Sequence, residues 1–159
     1  MGFLIALAVV LLDQGTKFLV QSRMVEGMSV PVIPHFFYLT YIKNPGAAFG
    51  MLAYRTQFFV VISLLVVGVI AYYYPKVPRE WGLLRAALAM QAGGALGNMV
   101  DRIRYGRVVD FLDFHVWSYI FNVADAAITI GSVILAFYFI AGSKNEKEVS
   151  PGEGQQSEG

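Results

Sequence analysis

Phe58-Phe59-Val60-Val61-Ile62-Ser63-Leu64-Leu65-Val66-Val67-Gly68-Val69-Ile70-Ala71-Tyr72-Tyr73-Tyr74 is apolar from end to end except for Ser63 and Gly68. Such a run approaches the ~20 residues that carry a helix through ~30 Å of hydrocarbon. It closes in three tyrosines, which favour the membrane–water boundary, and Pro75 and Pro78 stop the helix just beyond. The rest of the chain agrees. Of its 159 residues 57% are hydrophobic and 14% charged, and mean hydropathy is +0.57, outside the usual range of a soluble domain. The expected fold class is an integral membrane protein, mainly α.

Three further apolar segments flank this one. The first, about residues 1–20, is interrupted by Asp13, Gln14 and Lys17 and lacks the basic residues that precede a signal-peptide core, so it reads as a retained helix. The third, about 81–102, contains Gly93, Gly94 and Gly97; Gly93 and Gly97 are one turn apart and let a neighbouring backbone approach closely. The fourth covers about 119–142. With 58–74 these make four expected spans.

Residues 24–57 are too polar and turn-rich to span, and they carry a strand-like run from Phe36 to Ile42 that leaves through the turn signal Asn44-Pro45-Gly46. They are expected to form a small extramembrane platform. Residues 143–159 show no apolar periodicity and are expected to be a disordered tail, leaving 1–142 as a single membrane domain.

An even number of spans puts both termini on one face, opposite the platform. Lys76, Arg79, Arg85, Lys144 and Lys147 fall on the terminal face and Lys17, Arg23, Lys43, Arg55, Arg102, Arg104 and Arg107 on the other. By count alone this weakly favours termini outside, although the rule assumes free loop charges, and several of the seven read as structural or site residues. A net charge of +1 with no basic stripe gives no reason to expect nucleic acid. The absence of cysteine excludes disulfides, thiolate metal sites and cysteine nucleophiles.

The acids are unevenly distributed. Every Glu (26, 80, 146, 148, 153, 158) lies in an expected loop or the tail, and every Asp (13, 101, 110, 113, 125) lies in or beside an apolar segment. A carboxylate near hydrocarbon costs several kcal/mol unless protonated, paired or facing water, so each buried Asp needs a reason. Asp13 and Lys17 stand at i and i+4 with the acid first, suited to an ion pair or to Lys17 holding a structural or substrate carbonyl. Asn98, Asp101 and Arg102 share a helix face and read as a hydrogen-bonded cluster that fixes a loop.

Asp110 and Asp125 have no basic residue within four positions except Arg107. With the fourth helix starting at Tyr119, Asp125 is expected about six residues inside it, roughly 9 Å deep, with Asn122 one turn above. If the two acids meet, they share a proton, one serving as base on water and the other as acid to a carbonyl oxygen, as in an aspartic peptidase. The residues alone leave open a proton-relay or structural pair, and a small membrane ion or proton carrier. Asp110, Asp113 and His115 do not form the helical His-x-x-x-His arrangement of a metallopeptidase, and no serine motif accompanies Lys17. His115 reads as an interfacial side chain, and Ser118 and Ser132 as helix-start and packing residues.

Five segments carry a resemblance: Asp13-Gln14-Gly15-Thr16-Lys17, Asn44-Pro45-Gly46-Ala47-Ala48-Phe49, the stretch from Gly93-Gly94-Ala95-Leu96-Gly97-Asn98 to Asp101-Arg102, Val108-Val109-Asp110-Phe111, and Phe121-Asn122-Val123-Ala124-Asp125. In order and spacing they resemble the bacterial lipoprotein signal peptidases, the signal peptidase II family. The resemblance implies an aspartic endopeptidase of the inner or plasma membrane with four transmembrane helices, cytoplasmic termini, and an extracytoplasmic β-cradle with a short amphipathic helix. It implies cleavage of diacylglyceryl-modified prolipoproteins just before the modified cysteine, at a site reached from membrane lipid and blocked by globomycin, by a monomer without cofactor or metal. Carried over by position, Asp110 and Asp125 are the catalytic pair, and Asp13, Lys17, Asn44, Gly46, Gly97, Asn98, Asp101, Arg102, Asn122 and Ala124 match supporting or substrate-contacting positions. One departure from the family is that only 14 residues separate the two acids, without an extended loop.

Overall fold

The computed structural model describes residues 1–46, 55–116 and 119–148, with side chains through Ile140. Four long helices, α1 (Gly2–Arg23), α2 (Thr56–Tyr73), α3 (Gly82–Tyr105) and α4 (Val123–Glu148), carry a small sheet of strands β1 (Ser29–Ile33), β2 (Phe37–Asn44), β3 (Val108–Phe114) and β4 (Ile120–Phe121). α1, α2 and α4 each contain a stretch long and apolar enough to cross a membrane. α3 is as long but more polar, and it sits at the centre, packed against the other three helices. Its inward-facing Asn98 and Asp101 are thus shielded by protein, the condition under which polar side chains persist at membrane depth.

Glycines make that packing possible. A Cβ at Gly93 would stand 2.7 Å from the Ala6 carbonyl oxygen of α1, and one at Gly94 would stand 2.5 Å from the Ala124 carbonyl oxygen of α4. The close approach expected of this glycine group is therefore made to two helices at once. Among the described residues α2 packs along α3 and forms no comparable interface with α4, which leaves the bundle open between α2 and α4. α2 ends where Pro75 and Pro78 were expected to stop it, in a single 3-10 turn over Tyr74–Lys76.

The sheet is antiparallel in the order β1-β2-β3-β4 and joins the helix ends nearest the α1–β1 connection. β2 overlaps the expected 36–42 strand. β3 and β4 occupy a stretch expected to be loop and helix start: Ile120 and Phe121 pair with Asp113 and Leu112, so the fourth helix begins at Val123, not near Tyr119. An apolar run of this length does not distinguish strand from helix by hydrophobicity. The helix continues to Glu148, past the expected boundary at Gly142; residues 149–159 lie outside the described residues. So do 47–54, with Ala47, Ala48 and Phe49 of the second motif, and Ser118; no amphipathic helix occurs among the described platform residues.

Side chains alternate across β3. Val109 and Phe111 point into a core with Val20 and Tyr41, while Asp110 faces the other way. A register shift between Leu39 and Ile42 of β2 places Ile42 opposite Asp110, so Asn44, two residues further on, shares Asp110's face. Gly106, at φ +70°, ends α3 in the left-handed conformation, and its carbonyl accepts a 2.7 Å hydrogen bond from Thr56 Oγ1, tying the start of α2 to the end of α3.

Candidate active site

The start of α4 organises the site. Asn122 Oδ1 accepts the Asp125 N–H at 2.9 Å, and Asp125 Oδ2 accepts the Asn122 N–H at 3.3 Å. This reciprocal pair is a capping box, here formed by Asn and Asp. Asp125 therefore lies in the first turn of α4, not six residues inside it. The fully buried Asn122 side chain also donates to Asp110 Oδ1 at 2.6 Å and to Asn98 Oδ1 at 3.1 Å. One amide thus caps the helix that carries Asp125 and holds Asp110 on the neighbouring strand.

Asp110 accepts a second hydrogen bond from Asn44 Nδ2, 2.9 Å from Oδ2. The Asn44-Pro45-Gly46 turn forms as expected, with the Gly46 N–H donating to Asn44 Oδ1 at 3.0 Å. Burial, reinforced by the nearby Asp125 charge, pushes the Asp110 carboxyl up to about 7, with the hydrogen bonds from Asn44 and Asn122 opposing the shift. Asp125 Oδ1 accepts from Asn98 Nδ2 at 2.7 Å.

Behind this pair lies a buried ionic cluster. Lys17 Nζ is 2.8 Å from Asp13 Oδ2, 2.9 Å from Asp101 Oδ2 and 3.1 Å from Asn98 Oδ1, and Lys17, Asp13 and Asp101 are at most 1% exposed. The same carboxylates accept backbone and amide N–H groups as well. Asp13 Oδ1 accepts the Ala124 N–H at 2.9 Å, Asp101 Oδ2 accepts the Val109 N–H at 3.0 Å, and Gln14 Nε2 donates to Asp101 Oδ1 at 2.9 Å. The two outer acids thus grip the backbone beside each inner one, Ala124 next to Asp125 and Val109 next to Asp110. Gly97 leaves the necessary room, since a Cβ there would lie 2.6 Å from Asp13 Oδ2.

Arg102 departs from the expected cluster with Asp101. Its guanidinium donates to the Gly46 carbonyl at 3.4 Å and lies 4.7 Å from the Phe59 ring centroid, while Lys17 is the cation that pairs with Asp101. The i, i+1 neighbours Asp101 and Arg102 point about 100° apart around α3, so sequence adjacency is not contact. Asp113, three residues along the strand from Asp110 and so on the opposite face, accepts from Thr40 Oγ1 at 2.6 Å, and the exposed His115 stacks on Tyr38 at 4.0 Å.

Asp110, Asp125, Asn98, Arg102 and Asn44 line one cavity of about 280 Å³ bounded by α2, α3, α4 and the sheet. Sequence reasoning missed Gln14 as a scaffold group, though it sits inside a quoted motif, and Tyr119, which lines the cavity and whose phenol is pushed up by burial and by the Asp125 and Asp110 charges. Its side chain lies in a segment read as helix, where no pattern singled it out.

Two solved bacterial membrane enzymes share this architecture. One superposes with a TM-score of 0.87 at 33% identity, covering 98% of this chain and 94% of its own; the other gives 0.79 at 37%, covering 87% and 91%. The fold is thus that of a bacterial membrane enzyme. A family profile described as Signal peptidase (SPase) II matches residues 5–141. The lipoprotein signal peptidase of Pelotomaculum thermopropionicum is 50% identical over 85% of this chain and 88% of its own, and that of Moorella thermoacetica 47% identical over 86% and 91%. The chain belongs to the signal peptidase II family, and it is an aspartic endopeptidase that acts in lipoprotein processing.

Proposed function

We propose that this enzyme removes the signal peptide of prolipoproteins by cleaving before a diacylglyceryl-modified cysteine, with Asp110 and Asp125 as the catalytic pair. The observation that carries the reading is the placement of both carboxylates on one cavity, joined through Asn122. The pair shares one proton. Asp110, whose carboxyl holds its proton to about pH 7, is the acid, and Asp125, accepting N–H bonds at the positively polarised start of α4, is the base. Asp125 takes a proton from water as its oxygen attacks the scissile carbonyl carbon, and Asp110 gives its proton to the carbonyl oxygen. The gem-diol collapses as the C–N bond breaks: Asp125 passes its proton to the leaving nitrogen and Asp110 takes one back from a hydroxyl, which restores the starting pair.

Asp13, Lys17, Asp101, Asn98, Asn122, Gly97 and Ala124 position the pair, and Asn44, Gly46 and Arg102 form the rim that meets the peptide. The gap between α2 and α4 admits the acyl chains from membrane lipid, and the sheet holds the peptide extended. The protein acts as a monomer with four transmembrane helices in the bacterial cell membrane, with cytoplasmic termini, an extracytoplasmic sheet and sensitivity to globomycin. Charge count does not oppose this orientation. With Lys17 and Arg102 drawn into the protein on the sheet side, and Arg85 held by the Tyr74 and Val77 carbonyls on the terminal side, seven against five becomes five against four, a difference too small to set the orientation.

The test is cleavage of a diacylglyceryl-modified prolipoprotein by purified protein in detergent. Wild type cuts; Asp110→Asn and Asp125→Asn, folded to the same extent, lose at least ~1,000-fold in kcat/KM, and near-normal cleavage by either sinks the pair.

A further inference from the structure

Of the 18 residues of α2, Ser63 alone is buried, at 9% exposure. This hydroxyl lines the cavity and makes no hydrogen bond to any described residue. Thr16, Ser22 and Ser132, in contrast, each return their hydroxyl proton to a carbonyl three or four residues back in their own helix. A second polar side chain lines the same cavity from α3: Gln91 gives one N–H to Ser132 Oγ at 3.0 Å, and its second N–H has no partner among the described residues. Gly131 makes room for it, since a Cβ there would stand 2.9 Å from Gln91 Cγ.

The helical rise fixes their depths. Counted from the bond between Thr56 and Gly106, Ser63 lies about 10 Å down α2 and Asn98, which holds Asp125, about 12 Å down α3. Ser63 therefore faces the catalytic pair across the cavity, and Gln91, seven residues before Asn98, lies about 10 Å deeper, between apolar walls that include Val66 and Ile128. Two unused donors thus face a cavity open sideways to lipid. A stretch of peptide three residues long brings six backbone polar groups, far more than two side chains can satisfy in hydrocarbon. A diacylglyceryl group brings two ester carbonyls, which need only donors. From the scissile carbon along the cysteine side chain to an ester carbonyl is about eight bonds, a reach of about 10 Å.

We propose that Ser63 and Gln91 form the subsite for the diacylglyceryl group of the substrate, each donating a hydrogen bond to an ester carbonyl. The assignment rests on the proposed cleavage of diacylglyceryl-modified prolipoproteins.

Two synthetic substrates test it, one carrying the diacyl (ester) glyceryl group and one the dialkyl (ether) analogue, whose oxygens are poorer acceptors and which has no carbonyls. Wild type prefers the ester substrate, and Ser63→Ala and Gln91→Leu each lower the ester-to-ether ratio of kcat/KM by about three- to tenfold, the worth of a neutral hydrogen bond. Ser63→Thr retains the preference and its isostere Ser63→Val loses it. Ser132→Ala, which removes the Gln91–Ser132 bond between helices and the hydroxyl's own bond to the Ile128 carbonyl, leaves the ratio in place. Equal losses on both substrates, as contacts to peptide backbone would give, overturn the subsite, as does a Thr variant that behaves like the Val variant. If Gln91→Leu fails to fold, the three Ser63 variants decide. Failure of wild type to cut either substrate refutes the proposed reaction instead.

Discussion

Replacing Lys17 by Met keeps the length and apolar stem of the side chain and removes only the ammonium. In the folded protein that ammonium is 2.8 Å from Asp13, 2.9 Å from Asp101 and 3.1 Å from the Asn98 carbonyl oxygen, with all three charged groups shielded from solvent. An exposed ion pair is worth ~0–1 kcal/mol, but withdrawing one member of a buried pair leaves an uncompensated charge and costs about 3–5 kcal/mol. Here two carboxylates lose the same cation, which places Lys17→Met at or above the upper end of that range. Reversible SDS titration in mixed micelles reads this loss directly. The cluster also makes a non-additive prediction: neutralising one acid in the same chain, Lys17→Met with Asp13→Asn, recovers part of the loss, because one buried charge fewer is left without a partner. A loss below about 1 kcal/mol for Lys17→Met, or strictly additive behaviour of the double variant, would refute the claim that this cluster is dry and cation-dependent.

Gly97→Ala drives a methyl to 2.6 Å from Asp13 Oδ2 and costs about 1–3 kcal/mol in the same titration, whereas Gly15→Ala, with open space at its Cβ, gains up to about 1 kcal/mol of helix propensity; equal effects would show that space at Gly97 is not limiting. The alkaline limb of kcat/KM falls near pH 7 as Asp110 loses its proton, and Asn44→Ala, removing a donor that favours the ionised form, moves that limb to higher pH; a downward move contradicts the contact. Folded Asp110 keeps its proton to about pH 7 whereas the unfolded chain releases it near 3.8, so the native state binds more protons and its contribution to stability declines as pH rises from about 4 to about 7; Asp110→Asn flattens that slope in pH-dependent unfolding. Asn122→Ala loses about 0.5–2 kcal/mol of helix cap together with activity, while Asn122→Ser retains the cap but not the link to Asp110, so equal activity of Asn122→Ser and wild type would remove Asn122 from the positioning of the pair.

The long helices were legible because hydrophobic runs report burial in lipid irrespective of partners, and the stop at Pro75 and the turn at Asn44-Pro45-Gly46 because proline and glycine act locally. The site residues were legible as types: acids and amides in apolar surroundings. Their pairing was not. Helical spacing pairs Lys17 with Asp13, but Asp101, the second acid it holds, lies on another helix, and spacing groups it with Asn98 and Arg102 instead. β3 escaped because Val108 and Val109 are both buried, which breaks the two-residue alternation that marks a strand. The start of α4 was misplaced for a related reason: Ile120 and Phe121 are apolar enough to extend the helix, and only their pairing with β3 makes them a strand and exposes Asn122 as the cap.

Where α4 starts bears on the chemistry. An acid two turns inside a helix would have its backbone N–H and its neighbours' N–H groups already consumed by the helix. In the first turn, Asp125 sits where N–H groups are free, and Asp13 takes the one at Ala124 while Asn122 takes the one at Asp125 itself. The same two backbone bonds that end the helix cleanly also fix the carboxylate beside the cavity. The cations are distributed to match: Lys17 is held between Asp13 and Asp101, Arg102 reaches the Gly46 carbonyl, and among the described residues no ion pair involves Asp110 or Asp125. Arg102 and Lys17 act on both acids from a distance, but neither makes an ion-pair contact with them, so the repulsion between the two inner carboxylates is relieved most simply by a proton on one of them, which is the state a water-activating pair requires.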